Sequence, residues 1–96
     1  MFIVSLSYTA PLDEVDAHLA AHRDFLAAHY AAGTFLMSGR KVPRDGGIIV
    51  ADAPSRAALE AVLGEDPFAR ANLARYAITE FVPTMTAGAL DAWRAA

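Results

Sequence analysis

The sequence has no cysteine, no long apolar run and no cluster of basic residues, and each absence excludes a class of function. Without cysteine, the 96-residue chain has neither disulfides nor thiolate ligands for a metal. No apolar run approaches the ~20 residues of a membrane span. The formal net charge is −3 and the basic residues are scattered, which argues against nucleic-acid binding. The N-terminal segment lacks the basic start of a signal peptide, so we expect a cytoplasmic protein without membrane or nucleic-acid partners.

Strand and helix patterns alternate along the chain in the order β-α-β-β-α-β. The order predicts a ferredoxin-like α+β fold, with a four-stranded antiparallel sheet and two helices on one face. We expect a single domain over residues 1–96, with a core at about 2–82 and a tail at 84–96 that makes one helical turn. The predicted strands are 2–8, 34–42, 48–52 and 74–82, the helices are 12–32 and 55–63, and a short turn covers 66–72.

The predicted strands carry apolar residues on both faces. In the strand 48–52, Ile48 and Val50 share one face, while Ile49 and Ala51 share the other. Such a pattern indicates a sheet that is covered on both sides, yet the chain has only enough helix for one side. We therefore expect a homodimer in which the partner subunit covers the second face.

His22 is the first candidate for chemistry. It falls within the apolar stripe of the first helix, where a histidine can simply be a core residue with satisfied ring nitrogens. His18 and His29 lie close to the same helical face, and three histidines there exceed what a small core requires. Imidazole titrates near neutral pH, so His22 is a candidate general acid or base.

Asp66 is the second candidate. It precedes Pro67 and Phe68, a pattern typical of a helix N-cap with proline at the first helical position. The same carboxylate can instead orient a histidine and fix its tautomer. Both interpretations remain open at this point, and an N-cap carboxylate can serve both purposes.

The remaining candidates are weaker individually. Gly39 lies in a predicted strand, which is typical of a bulge or a close backbone approach, or leaves room for a ligand beside Ser38. The glycine pair after Asp45 is predicted to form a hairpin turn. His18 and His22 have the spacing of two metal ligands, but no third ligand is evident, so we expect no metal and no cofactor. The predicted substrate-binding residues are Ser38, Gly39, Arg40 and Phe68.

Several short segments together resemble the YciI-like (YCII-related) family. They are His22 in the first helix, Gly33, the segments 35–39 and 45–49, the Asp66-Pro67-Phe68 triplet and the closing strand 76–81. The resemblance implies a dimeric α+β barrel and an active-site pair formed by His22 and Asp66. It also implies small-molecule chemistry, because a family member eliminates chloride from a chlorinated hydroxyhydroquinone. Arg40 departs from the proline that many members carry at this position.

Three functions remain open at this stage. The favoured hypothesis is an enzyme in which His22 and Asp66 catalyse the elimination or isomerisation of a small cyclic or enolisable molecule. The alternative is a non-catalytic dimeric module that binds a small ligand in the same cleft. A third possibility is a structural dimer whose histidines are satisfied core groups.

Overall fold

A computed structural model describes residues 1–95, and its fold is the predicted ferredoxin-like α+β arrangement. The four strands form one antiparallel sheet in the order β2-β3-β1-β4. None of the helices described within residues 1–95 is long and apolar enough to cross a membrane. The elements are β1 (Phe2–Tyr8), α1 (Leu12–Ala17), α2 (Leu19–Ala31), β2 (Phe35–Arg40), β3 (Gly46–Ala51), α3 (Arg56–Leu63), α4 (Pro67–Arg70), β4 (Ala74–Glu80) and a 3-10 helix (Gly88–Trp93).

One face of the sheet packs against the helices and forms the core. In β1, Phe2, Val4 and Leu6 point to this face and are almost fully buried. Apolar side chains of this kind leave water on folding, which is the main stabilising contribution to the domain. The other members of the buried cluster are Val15, Phe25, Phe35, Ile49, Ala51, Leu59, Leu63, Phe68 and Leu73.

The prediction of one continuous helix over residues 12–32 is wrong in one respect. The helix is interrupted at His18, which separates α1 from α2. The His18 Nδ1 lies 3.2 Å from the Glu14 carbonyl oxygen, the acceptor that a continuous helix would offer to the backbone N–H of His18. That N–H donates to the Val15 carbonyl oxygen instead. A side chain that competes for a helical carbonyl in this way interrupts the regular ladder.

Two predicted helix boundaries are confirmed. Gly33 follows α2 with φ +80, a left-handed conformation that glycine adopts without a steric cost. Ser55 caps α3, with its hydroxyl oxygen accepting a hydrogen bond from the Ala58 N–H at 3.0 Å. These local signals end α2 before β2 and begin α3 after β3.

Two predictions for the glycines around the β2–β3 hairpin are wrong. Gly46 and Gly47 lie inside β3 rather than in the turn, which instead spans residues 41–45. A Cβ on Gly46 would lie 1.8 Å from the Leu6 carbonyl oxygen, whereas a Cβ on Gly39 would meet nothing within 4 Å. The close approach predicted at Gly39 therefore occurs at Gly46, and the irregularity of β2 lies between Phe35 and Met37.

The two glycines provide a matched pair of substitutions. Gly46→Ala is expected to lower the free energy of unfolding by about 1–3 kcal/mol, because the new methyl group would overlap the main chain of β1. Gly39→Ala is expected to be neutral or slightly stabilising, because its methyl group enters open space. Urea unfolding of both variants measures the difference, and equal stabilities would contradict this close approach.

Candidate active site

His22 lies on the buried side of α2, with only 9% of its surface exposed. Its ring stacks on Phe68, with centroids 4.0 Å apart and planes 8° from parallel. Phe68 is buried and belongs to α4, so the stacking of the two rings packs α2 against α4. The stacking fixes the plane of the imidazole, and the two ring nitrogens then point in defined directions.

Asp66 is fully buried and accepts three hydrogen bonds. Its Oδ1 accepts from the His22 Nδ1 at 2.8 Å and from the backbone N–H of Phe68 at 3.0 Å. Its Oδ2 accepts from the Tyr76 hydroxyl at 2.6 Å. The bond to Phe68 makes Asp66 the N-cap of α4, and Pro67 occupies the first turn, as the sequence predicts. The carboxylate therefore caps a helix and contacts a histidine at the same time.

The hydrogen bond to Asp66 determines the tautomer of His22. A carboxylate is an acceptor, so the Nδ1 carries the proton and donates it. In the neutral ring the Nε2 then holds a lone pair, and it has no hydrogen-bond partner among residues 1–95. Because the ring lines an open cleft, the Nε2 is available to a bound molecule.

The cleft beside His22 has a volume of about 560 Å³. This size falls within the ~300–1,000 Å³ typical of small-molecule sites. Its floor includes main chain of β3 at Gly46 and Gly47, where no side chain fills the space. Its walls include the apolar side chains of Leu6, Leu19, Leu26, Ile49 and Phe68.

All four predicted substrate-binding residues line this cleft. Ser38 and Arg40 share the helix-facing side of β2 and pair with Ile49 and Gly47 of β3. The Ser38 hydroxyl forms a short hydrogen bond with the hydroxyl of Tyr30. Gly39 contributes main chain only, and Phe68 also holds the ring of His22. Their contact with a substrate stays a prediction.

The sequence matches the family model of the YCII-related domain over residues 1–82. The chain belongs to the YCII-related family. No curated protein matches it. Eight chains of solved structures do match, one of them 5-chloro-2-hydroxyhydroquinone dehydrochlorinase from Burkholderia phenoliruptrix in complex with 2,5-dihydroxybenzoquinone. That match has a TM-score of 0.71 and 18% identity and covers 84% of this chain and 93% of the other, so it shows a shared fold.

The other two histidines of this YCII-related chain lie outside the cleft. His18 is half-buried beside Glu14, and His29 packs between the rings of Phe25 and Phe35. The His29 Nε2 lies 3.3 Å from a carboxylate oxygen of Glu65. Within residues 1–95, no three His, Asp or Glu side chains are grouped closely enough to hold a metal ion.

Tyr76 is a site residue that the sequence analysis did not single out. The register of β4 against β1 pairs Tyr76 with Leu6, which places its ring on the helix-facing side of the sheet. A buried tyrosine hydroxyl requires a hydrogen-bond partner, but the sequence alone does not indicate that this partner is Asp66. Burial and the neighbouring carboxylate of Asp66 raise the pKa of Tyr76 far above its ordinary value.

Arg23 and Arg44 are also lining residues that the sequence did not single out. Arg44 forms an ion pair with Asp16 at the mouth of the cleft. Its hydrogen bond lowers the pKa of the Asp16 carboxyl, so Asp16 is ionised at neutral pH. Nothing in the sequence indicates that a basic side chain on a helix or in a turn faces a cleft.

Tyr76→Phe is expected to lower the free energy of unfolding by about 1–3 kcal/mol at pH 8, because the Asp66 Oδ2 loses its buried donor. The unfolded chain releases the tyrosine proton at about pH 10, whereas folded Tyr76 retains it to higher pH. The stabilisation from Tyr76 is therefore present below pH 10 and declines as the pH rises further.

Urea unfolding at pH 8 and pH 11 measures this effect, and the gap between the native protein and Tyr76→Phe is expected to narrow at pH 11. Tyr30→Phe is the control, because that ring is 39% exposed and its hydroxyl contacts Ser38 rather than the buried carboxylate. A gap of the same size at both pH values would contradict the raised pKa.

Proposed function

We propose that this YCII-related protein is a small-molecule enzyme in which His22 and Asp66 form an acid–base pair. The observation that carries the proposal is the 2.8 Å contact between the His22 Nδ1 and the Asp66 Oδ1, with the Nε2 free at the cleft. The reaction class is elimination from, or isomerisation of, a small cyclic or enolisable substrate.

The chemistry begins with proton transfer to the Nε2 of His22. The base takes a proton from a C–H or O–H of the substrate, and the electron pair left behind forms a new double bond. In an elimination, a leaving group departs as an anion with its bonding electrons. In an isomerisation, the imidazolium returns the proton to a different atom. Asp66 stabilises the imidazolium that forms between the two steps, and such proton transfer accelerates a reaction by about 10²–10⁴-fold.

The solved dehydrochlorinase supports elimination as the first reaction to test. Its name describes the removal of hydrogen chloride from a hydroxylated ring, and the bound 2,5-dihydroxybenzoquinone is a hydroxylated ring without chlorine. A flat ring of this kind suits the cleft, which is bounded by the main chain of β3 on one side and by stacked Phe68 and His22 on another. The proposal for this chain rests on the site geometry together with that relative.

The catalytic proposal is tested with His22→Asn and Asp66→Asn. With 5-chloro-2-hydroxyhydroquinone as the first probe, chloride release by the native protein is expected, and each variant is expected to reduce kcat/KM by about 10²–10⁴-fold. His22→Asn removes the base, while Asp66→Asn removes the charge that orients it. His18→Asn is the matched control, since His18 is a half-buried histidine that does not line the cleft.

Ligand binding and folding are measured alongside turnover. Retained binding and a native circular dichroism spectrum in His22→Asn, with turnover lost, support the acid–base role. Binding without turnover in the native protein would instead assign the cleft to a non-catalytic small-ligand-binding module. Loss of stability alone would leave His22 as a structural residue and contradict the proposal.

We further propose that the chain forms a homodimer through the sheet face opposite the helices. Apolar side chains on this face are only partly covered, and they include Ile3, Ile48 and Val50, with Met37 54% exposed. A second copy laid against this face would remove them from water. The pairing of two sheets also agrees with the barrel that the family resemblance implies.

Ile3→Lys is expected to convert the dimer into a monomer, because it places a charge in the middle of the apolar sheet face. Light scattering coupled to size exclusion measures the mass of each species. Ala57→Lys, which adds the same charge on the exposed surface of α3, is expected to remain dimeric. A native protein of monomeric mass would refute the proposed interface.

A further inference from the structure

The mouth of the cleft carries an excess of positive charge, although the chain as a whole is acidic. Three guanidinium groups line it, from Arg23 on α2, Arg40 on β2 and Arg44 in the following turn. They face one exposed carboxylate, that of Asp16, in a chain with a formal net charge of −3. The charge distribution of the cleft is therefore the reverse of that of the whole molecule.

The ion pair between Arg44 and Asp16 leaves two guanidinium groups without a countercharge. Arg44 neutralises Asp16 at the mouth. Neither Arg23 nor Arg40 forms an ion pair or a side-chain hydrogen bond with any residue in the described range 1–95. The other nearby carboxylate, Asp66, is buried behind His22 and already accepts three hydrogen bonds.

The two guanidinium groups without a countercharge line the same cleft as the proposed base, His22. Arg23 directly follows His22 on α2, and Arg40 extends from β2 on the helix-facing side, where its neighbour across the strands is Gly47. A guanidinium presents parallel N–H donors that match the two oxygens of a carboxylate. An anionic group held there would orient the rest of a small molecule towards the Nε2 of His22.

We infer that the ligand of this cleft is an organic carboxylate, bound through Arg23 and Arg40. The inference deepens the proposed function and rests on it for the reacting end of the molecule. The chlorinated ring used as the turnover probe has that reacting end without the anchor, so its KM is expected to be higher than that of a chlorinated ring that also carries a carboxylate. The carboxylate is the anchoring group, the apolar walls contact the body of the ligand, and His22 exchanges a proton with an atom close to the anchor.

The test measures binding and does not require turnover. The probes are acetate, benzoate, salicylate and 1-naphthoate, each beside its primary amide, with inorganic phosphate as a further probe. Binding is followed by calorimetry and by NMR shifts of the native protein. At least one carboxylate is expected to bind about tenfold more tightly than its amide, and its affinity is expected to fall with added salt.

Arg40→Gln and Arg23→Gln are each expected to weaken carboxylate binding by about tenfold and to leave amide binding unchanged. Arg70→Gln is the matched control, because Arg70 is exposed on α4 and does not line the cleft. His22→Asn is expected to keep the preference for carboxylates, which separates the anchor from the proposed catalysis.

Several outcomes would overturn the anchor. They are equal affinity for acids and amides, unchanged binding in both arginine variants, stronger binding of phosphate than of any carboxylate, and no binding of any probe at 10 mM, about the weakest affinity that such titrations resolve. None of them affects the acid–base proposal, which depends on the turnover lost in His22→Asn. Conversely, a carboxylate site that turns over no substrate would retain the anchor and remove the catalysis.

Discussion

The burial of one carboxylate, that of Asp66, is the constraint on which the rest of this structure depends. A carboxylate withdrawn from water is strongly destabilising unless hydrogen bonds replace its hydration. Asp66 receives those bonds from three elements, namely α2 through His22, α4 through the Phe68 N–H and β4 through Tyr76. The same three bonds fix the ring of His22 and dock the short helix against the sheet. The same hydrogen bonds therefore hold the candidate site in place and stabilise the tertiary structure.

The shape of the cleft depends on where side chains are absent and where large side chains are present. Gly47 leaves the floor open where a larger residue would fill it, and the stacked pair of His22 and Phe68 forms a flat wall. Charged groups lie at the mouth, whereas the imidazole lies deeper among apolar residues. Such a separation of charged and apolar surface favours one orientation of a small molecule that carries a charged group at one end.

Sequence patterns specify the order of strands and helices along the chain, the end of α2, the start of α3 and the helix cap at Asp66, because these depend on local periodicity and on short capping motifs. The pairing of His22 with Asp66 is implied by the family resemblance and not by these patterns. They do not specify Tyr76, whose role depends on the register of β4 against β1. They also miss the break at His18, which results from a side chain competing with the backbone for one carbonyl. The close main-chain approach occurs at Gly46 and not at Gly39, because such an approach is a property of neighbouring strands and not of one strand.

The closeness of Gly46 to the Leu6 carbonyl oxygen restricts which residues can replace this glycine. A side chain cannot be added there without moving β1, so the depth of the cleft is tied to the packing of the central strands. The mouth is free of this restriction, since Arg23 lies on a helix surface and Arg40 on an edge strand. Ligand preference, natural or engineered, would thus change through residues at the mouth, while the buried contact between His22 and Asp66 is retained.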